Sequence, residues 1–405
     1  MLPSWTALST FLTEAVPTLA RYLGPINPLK FGAPLLMAWV WLRKDRIPAW
    51  VRKLLLASVA ALVICSALAA APCGFPPGAV REASVFVLGL VASLAFLTLE
   101  RRDSERVAFA WVAIVYGSFL LSAFFPSVTS WINAHVFDPV RANSFDPDLG
   151  YRVIVGFFDP ASMAKLILWV PWILLATQAR SPKGWKVALA LVLVTIPMTI
   201  ATTQRGPFVA AWVAFAAFAL HQAVRSGRPR ALIPLTSFLV AGTLAIFLVV
   251  PSSIWKPRLL SWFSSKPQTT AEKISVKTIR DRPLLFGVSW KLVKENPLGT
   301  ACPPEKVFLD AGLKEVQHSH NLLLEQFRIR GWLWGAWHLV LWLLALAGSW
   351  RGRERADAAR FGAVVACLVL GLVDHPWFVL NHAMLLGIIL VSPIMSLGKK
   401  PEEAL

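Results

Sequence analysis

Twelve apolar runs of near-spanning length recur along this chain, at about 4–20, 28–42, 53–71, 83–99, 107–125, 160–178, 185–201, 205–223, 231–250, 331–349, 359–374 and 377–396. In lipid the backbone of such a run can satisfy its own polar groups only as a helix. The pattern therefore predicts an all-α polytopic membrane protein with about twelve transmembrane helices. With 56% hydrophobic residues and 19 Trp in 405 positions, the chain carries more apolar side chain than a soluble core needs. The first run is the weakest, since Glu14 and Pro17 interrupt it; a count of eleven would move the N-terminus to the other face.

Orientation follows from the short loops, where Lys and Arg collect on the cytoplasmic side. Basic residues follow every even-numbered run: Arg43, Lys44, Arg46, Arg52 and Lys53; Arg101, Arg102 and Arg106; Arg180, Lys183 and Lys186; Arg225, Arg228 and Arg230; Arg351, Arg353, Arg355 and Arg360; Lys399 and Lys400. Both termini are expected in the cytoplasm. These loops hold twenty of the forty Lys and Arg, which accounts for much of the +18 net charge without a nucleic-acid partner. No basic stretch precedes the interrupted first run, so it is expected to serve as an insertion signal rather than a cleavable peptide. Cys65 and Cys367 lie inside apolar runs. Cys73 and Cys302 fall on the non-cytoplasmic side, where an oxidising compartment would permit a disulfide, but sequence gives no distance between them.

Every cytoplasmic connection is short, whereas the opposite face carries loops at about 126–157 and 251–319, so chemistry is expected there. The division is residues 1–250 for helices one to nine, 251–319 for a loop subdomain, and 320–405 for helices ten to twelve. The larger loop reads as helix from about Ala271 to Glu295 and breaks at Asn296-Pro297-Leu298-Gly299. Between Pro251 and Gln317 it holds eleven Lys or Arg against six Asp or Glu. That excess is either a solvated basic face or an attraction for an anionic substrate or lipid phosphates. Neither internal repeats nor low-complexity segments stand out.

His318-Ser319-His320-Asn321 marks the point where the longest polar stretch returns to the membrane, and it sets two imidazoles at a water–lipid boundary. Imidazole titrates near neutral pH, which suits it to proton transfer. Neither histidine has a cysteine or carboxylate neighbour at zinc-site spacing, so no metal is expected there. Asp146-Pro147-Asp148 has the spacing of a metal-binding DxD, for which a proline turn is the simpler explanation. Arg205, in Thr203-Gln204-Arg205-Gly206-Pro207, sits at the edge of hydrocarbon between runs joined by almost no loop. There it either snorkels to headgroups or meets an anion beside free helix-start N–H groups. Arg280 and Arg282 lie two apart on the loop helix and point to different faces. Arg152 precedes the sixth run as a site residue or an interface anchor, and Asp374 closes the turn between the last two runs as an orienter of a base or a helix cap. His221, His338 and His382 read as packing or interface residues, and His135 as an isolated loop histidine.

Four segments taken in order resemble the bacterial O-antigen ligase and O-antigen polymerase superfamily. They are Tyr151-Arg152 through Gly156, Phe158 and Pro160; Thr203-Gln204-Arg205-Gly206; Arg282 through Asn296-Pro297-Leu298-Gly299; and His318-Ser319-His320-Asn321 through Gly331. The similarity covers about residues 150–350. After the His-Asn pair the family has nine residues, a glycine, two residues and then Gly, Thr or Tyr; here Gly331 is in place, but Trp334 stands at the last position with Gly335 one later. Thr203-Gln204-Arg205-Gly206 also departs from the common Ser-Arg-Gly. The His-x-His-Asn form, the span count and the single large late loop look more like the ligases than the polymerases.

The resemblance implies a GT-C-like glycosyltransferase of the bacterial inner membrane with a periplasmic site. Its donor would be a glycan on undecaprenyl diphosphate and its acceptor a lipid A-core sugar, with inverting, metal-independent transfer and no cofactor. On that reading His320 is the general base and Arg205 and Arg282 bind the donor diphosphate, with His318, Arg152, Arg280 and Asp374 in support. Polymerisation of one lipid-linked glycan onto another is the near alternative. A transporter or flippase of lipid-linked glycans is the competing class, and its expected signature is charge buried in mid-span.

Overall fold

The computed structural model describes residues 28–74, 77–125, 160–202, 205–226, 270–302, 305–313, 319–374 and 380–397, with residues 127, 128, 131, 240 and 244 besides. Among them the fold is helical, without strands. The helices are α1 (Pro28–Leu42), α2 (Ala49–Ala70), α3 (Pro77–Leu97), α4 (Arg101–Phe124), α5 (Pro160–Thr177), α6 (Pro182–Ala201), α7 (Arg205–Ser226), α8 (Thr270–Glu295), α9 (Glu305–Asp310), α10 (Leu322–Arg351), α11 (Arg355–Gly371) and α12 (Leu380–Ser396). Each predicted apolar run coincides with one of these, except 4–20, which lies outside the described residues, and 231–250, of which residues 240 and 244 alone are described. The loop helix expected from Ala271 to Glu295 is α8.

Four stretches, Ala49–Cys73, Arg101–Leu121, Arg205–Arg225 and Leu322–Arg351, are long and apolar enough to cross a membrane; Glu82–Leu97, Met163–Thr177 and His382–Ser396 are shorter apolar helices. Their outward faces carry large apolar side chains, with Leu56 and Leu333 each 70% exposed. Water would penalise such a surface and lipid would not. The chain is an α-helical membrane protein.

Helix α5 is the axis of the bundle, packed against α4, α6, α7, α11 and α12. Met163, Leu166 through Val170 and Trp172 through Leu175 are all buried, so no face of α5 is left for solvent. Small residues set the closest approaches elsewhere. A Cβ on Gly89 of α3 would fall 2.6 Å from Ala383 Cβ of α12, and Ser93 Oγ donates to the Met384 carbonyl at 2.8 Å across the same seam. Without a hydrophobic drive between helices in lipid, such close packing and interhelical hydrogen bonding carry the association.

The bundle has two chemically distinct ends. At one, the basic loops gather: Arg46 donates to the Thr98 carbonyl (3.0 Å), Arg180 lies 4.0 Å from Glu354, and Arg225 donates to the Trp350 carbonyl (3.1 Å). At the other end a disulfide joins Cys73, just past α2, to Cys302, and the Ala301 N–H donates to the Ala69 carbonyl at 3.1 Å. The pairing that sequence left open is therefore present. It clamps the loop following α8 onto the α2 terminus, while Leu285, Leu292, Phe308 and Leu313 form a small separate core beneath that loop.

Helix α10 begins at Leu322, nine residues before the apolar run that predicted it, and bends at Gly331 (φ 78°, ψ −178°). The bend has an identifiable cause. A continuous helix would pair the Trp332 N–H with the Arg328 carbonyl. Instead Trp332 N–H donates to the Pro297 carbonyl (2.9 Å), and the Arg328 carbonyl accepts from Thr300 N–H (2.8 Å). The turn Asn296-Pro297-Leu298-Gly299 thus inserts into the helix ladder, exchanging one helical hydrogen bond for two to the loop.

Candidate active site

The segment around Leu370–Asp374, at the disulfide-bearing end of α11, is where the described candidates meet. Asn321 Nδ2 donates to the Leu372 carbonyl at 3.2 Å, which docks the His320-Asn321 turn onto it. A Cβ on Gly206 would lie 3.0 Å from Val373 Cγ2 and 3.2 Å from Leu370 Cδ1, so the Arg205-Gly206 start of α7 abuts the same residues. Arg282 of α8 is half-buried and within electrostatic reach of Asp374. Burial pushes the guanidinium's pKa down and the Asp374 carboxylate opposes that shift. Arginine remains a cation at neutral pH under either influence. Its Nε is buried without a hydrogen-bond partner among the described residues, leaving a donor for an incoming acceptor.

His320 carries the one positive φ found at a non-glycine position among the described residues, 49°. A side chain in the left-handed region costs of order 1 kcal/mol and persists only where its surroundings impose it. The imposing contacts flank it. Ser319 N–H donates to Glu325 Oε2 (2.9 Å), Ser319 Oγ donates to the Asn321 carbonyl (3.2 Å), and Asn321 Oδ1 caps α10 by accepting from Leu324 N–H (2.9 Å). Glu325 is fully buried and is itself gripped by Arg328 through Nη2 (2.6 Å) and Nε (3.0 Å). The conformation of a candidate base thus rests on a buried ion pair one turn into the next helix.

Lys165 is the residue that sequence reading passed over. It is the single charge of α5, only 8% exposed, and its Nζ lies 2.7 Å from Asp374 Oδ2. A lone ionisable residue in an otherwise apolar run was the available signal, because burying a charge in a membrane helix is expensive unless it is paired and used. Asp374 was expected to orient an imidazole or cap a helix. Here it links the buried ammonium of Lys165 to the field around Arg282.

His318, Arg152, Asp146, Asp148 and His135 lie outside the described residues, as does the side chain of Arg280. His221, His338 and His382 are buried among aromatic rings: His221 against Trp350 and Phe361, His338 against Phe86 and Trp334, His382 against Trp169. Packing suits all three. Trp334, at the position where the motif departs from its usual pattern, is fully buried and donates through Nε1 to Gln326 Oε1 at 2.8 Å. The helix accommodates the larger residue. Among the described residues no three His, Cys, Asp or Glu side chains cluster to hold a metal.

No known family model matches this chain, and no curated protein matches it significantly. The resemblance to the O-antigen ligase superfamily therefore rests on its motifs alone.

Proposed function

We propose that the chain is an O-antigen ligase of the bacterial inner membrane: a GT-C-like glycosyltransferase of about twelve spans, both termini cytoplasmic and its site at the periplasmic face. It moves a glycan from undecaprenyl diphosphate to a hydroxyl of lipid A-core. The observation that carries the reading is the convergence of the Arg205 helix start, Arg282, Asp374, Lys165 and the His320-Asn321 turn on one segment at one end of the bundle. Candidates gathered at one end favour an enzyme over a flippase, whose charges would lie in mid-span. The disulfide at that end supports an oxidising compartment there, as the basic loops at the other end support the cytoplasm.

The chemistry needs no cofactor. A sugar on diphosphate is already activated. His320 takes the proton of the acceptor hydroxyl, the oxygen attacks the anomeric carbon from the face opposite the diphosphate, and the carbon–oxygen bond to phosphate breaks. Configuration inverts, and the electron pair leaves with undecaprenyl diphosphate. Base catalysis of this kind contributes roughly 10²–10⁴ in rate. Arg205 and Arg282 receive the charge growing on the leaving group, where a well-placed donor is worth about 3–4 kcal/mol. Asp374 and Lys165 are positioning residues: the carboxylate faces Arg282, and the ammonium holds that carboxylate in place.

Purified protein, lipid-linked glycan and lipid A-core, incubated with and without chelator, test the reading. Heavier lipopolysaccharide in chelator is the expected product. Product only after a divalent metal is restored would turn attention to Asp146 and Asp148. Chain extension on the lipid-linked glycan, with no transfer to lipid A-core, would make the protein a polymerase.

A further inference from the structure

At the basic end of the bundle, opposite His320, the helices leave a cavity of about 1000 Å³ that the proposed transfer does not use. Its walls are amphipathic in a definite sense. Leu97, Leu99, Ala176 and Leu397 line it with partly exposed apolar side chains, whereas the lining arginines Arg101, Arg180, Arg351 and Arg353 are exposed at its mouth. Arg225 and Arg360 complete the lining cations, and Glu354 and Asp357 are the lining carboxylates.

Those carboxylates are already engaged. Asp357 accepts from Arg360 Nη1 (2.7 Å) and from the Glu354 N–H (3.2 Å), and Glu354 faces Arg180 at 4.0 Å. Arg101 is paired with Glu105 at 2.7 Å, and Arg225 is held by the Trp350 carbonyl (3.1 Å) and ring (5.6 Å). Arg351 and Arg353 have no ion-pair partner among the described residues, and the buried Nε of Arg360 has no acceptor among them. The cavity therefore pairs an apolar interior with uncompensated positive charge at its mouth. A soluble phosphate would satisfy the charge and leave the apolar wall bare. A neutral lipid would do the reverse.

We infer that this cavity is a binding site for an anionic glycerophospholipid of the leaflet at the basic end, its phosphodiester at Arg351 and Arg353 and an acyl chain against Leu97, Leu99, Ala176 and Leu397. Basic recesses between transmembrane helices on that side suit phosphate headgroups, because each nearby Lys or Arg adds electrostatic attraction at the surface. The inference does not depend on the transfer reaction, and its test needs no glycan.

Native mass spectrometry of the delipidated, full-length protein in detergent, titrated with phosphatidylglycerol or phosphatidylcholine, tests it. Wild type should bind one phosphatidylglycerol about tenfold or more tighter than phosphatidylcholine, with no displacement by millimolar inorganic phosphate. Arg351→Gln/Arg353→Gln should lose that preference, and Ser392→Phe, which narrows the cavity, should weaken both lipids. Thermal midpoints check folding in each case. Equal binding of the two lipids by wild type would overturn the site, as would displacement by inorganic phosphate. So would loss in the arginine variant alone with Ser392→Phe unaffected, since the lipid would then sit on the outer surface.

Discussion

Gly299 and Gly331 meet backbone to backbone, so that neither position has room for a side chain: a Cβ on Gly331 would lie 2.5 Å from the Pro297 carbonyl oxygen, and one on Gly299 would strike the Gly331 nitrogen. Both residues have positive φ, 87° and 78°. The contact joins the loop that carries Arg282 to the helix that begins after His320.

Gly331→Ala should destabilise the protein by about 1–3 kcal/mol from the backbone alone, with the loss of close approach in addition. A thermal-shift measurement in detergent should show a clear fall in midpoint. A midpoint equal to wild type would mean that the α8 turn and α10 can separate without cost.

Lys165→Met and Asp374→Leu should each cost more than the double substitution. Removing one partner breaks a largely buried ion pair, at about 3–5 kcal/mol, whereas removing both leaves neither of its charges behind. Thermal midpoints of the four proteins form the cycle. Additive losses would show that the pair is not coupled.

Glu325→Gln should leave transfer activity reduced by about 10²-fold even though the residue touches no substrate. It supports the Ser319 N–H and Arg328, and a small displacement of the neighbouring base is enough to cost that factor. The reduction should fall on kcat with donor binding retained. Unchanged kcat would remove the buried ion pair from the account of how His320 is held.

The Cys73–Cys302 disulfide should be intact in protein from cells that export disulfide oxidants to their periplasm, read as two alkylatable cysteines before reduction and four after. Its loss in Cys73→Ser/Cys302→Ser should lower stability by about 2–5 kcal/mol. Four alkylatable cysteines in the denatured, unreduced protein would contradict both the bridge and the oxidising location of that end.

The helices were legible from apolar run length because hydrocarbon leaves the backbone few other choices. The α8 helix and its break at Asn296-Pro297 were legible for the reason that proline and glycine punctuate any chain. Lys165 was not singled out, although its isolation among apolar residues marked it; what it pairs with depends on α5 and α11 packing side by side, which no local pattern encodes. The same holds for Cys73 and Cys302, whose separation of 229 residues carries no distance. Gly331 was seen as a motif position, but its physical role emerged only with Pro297 inserted beside it. His320 was singled out for its chemistry and its neighbour Asn321, while the strain at its backbone is a property of the Glu325 and Leu372 contacts on either side.

The proposed transfer depends on His320 acting as the base. Its most direct test is single-turnover transfer from lipid-linked glycan to lipid A-core by purified His320→Ala, with His320→Gly and Arg282→Lys alongside. Glycine relieves the positive φ that alanine keeps, so His320→Gly should be more stable than His320→Ala, and equal loss of transfer in the two separates lost chemistry from lost fold. Both His320 variants should bind donor and lose roughly 10²–10⁴ in transfer rate. Arg282→Lys should also fail although charge is kept, because an ammonium cannot reproduce the fork. Transfer by His320→Ala at the wild-type rate would contradict the account.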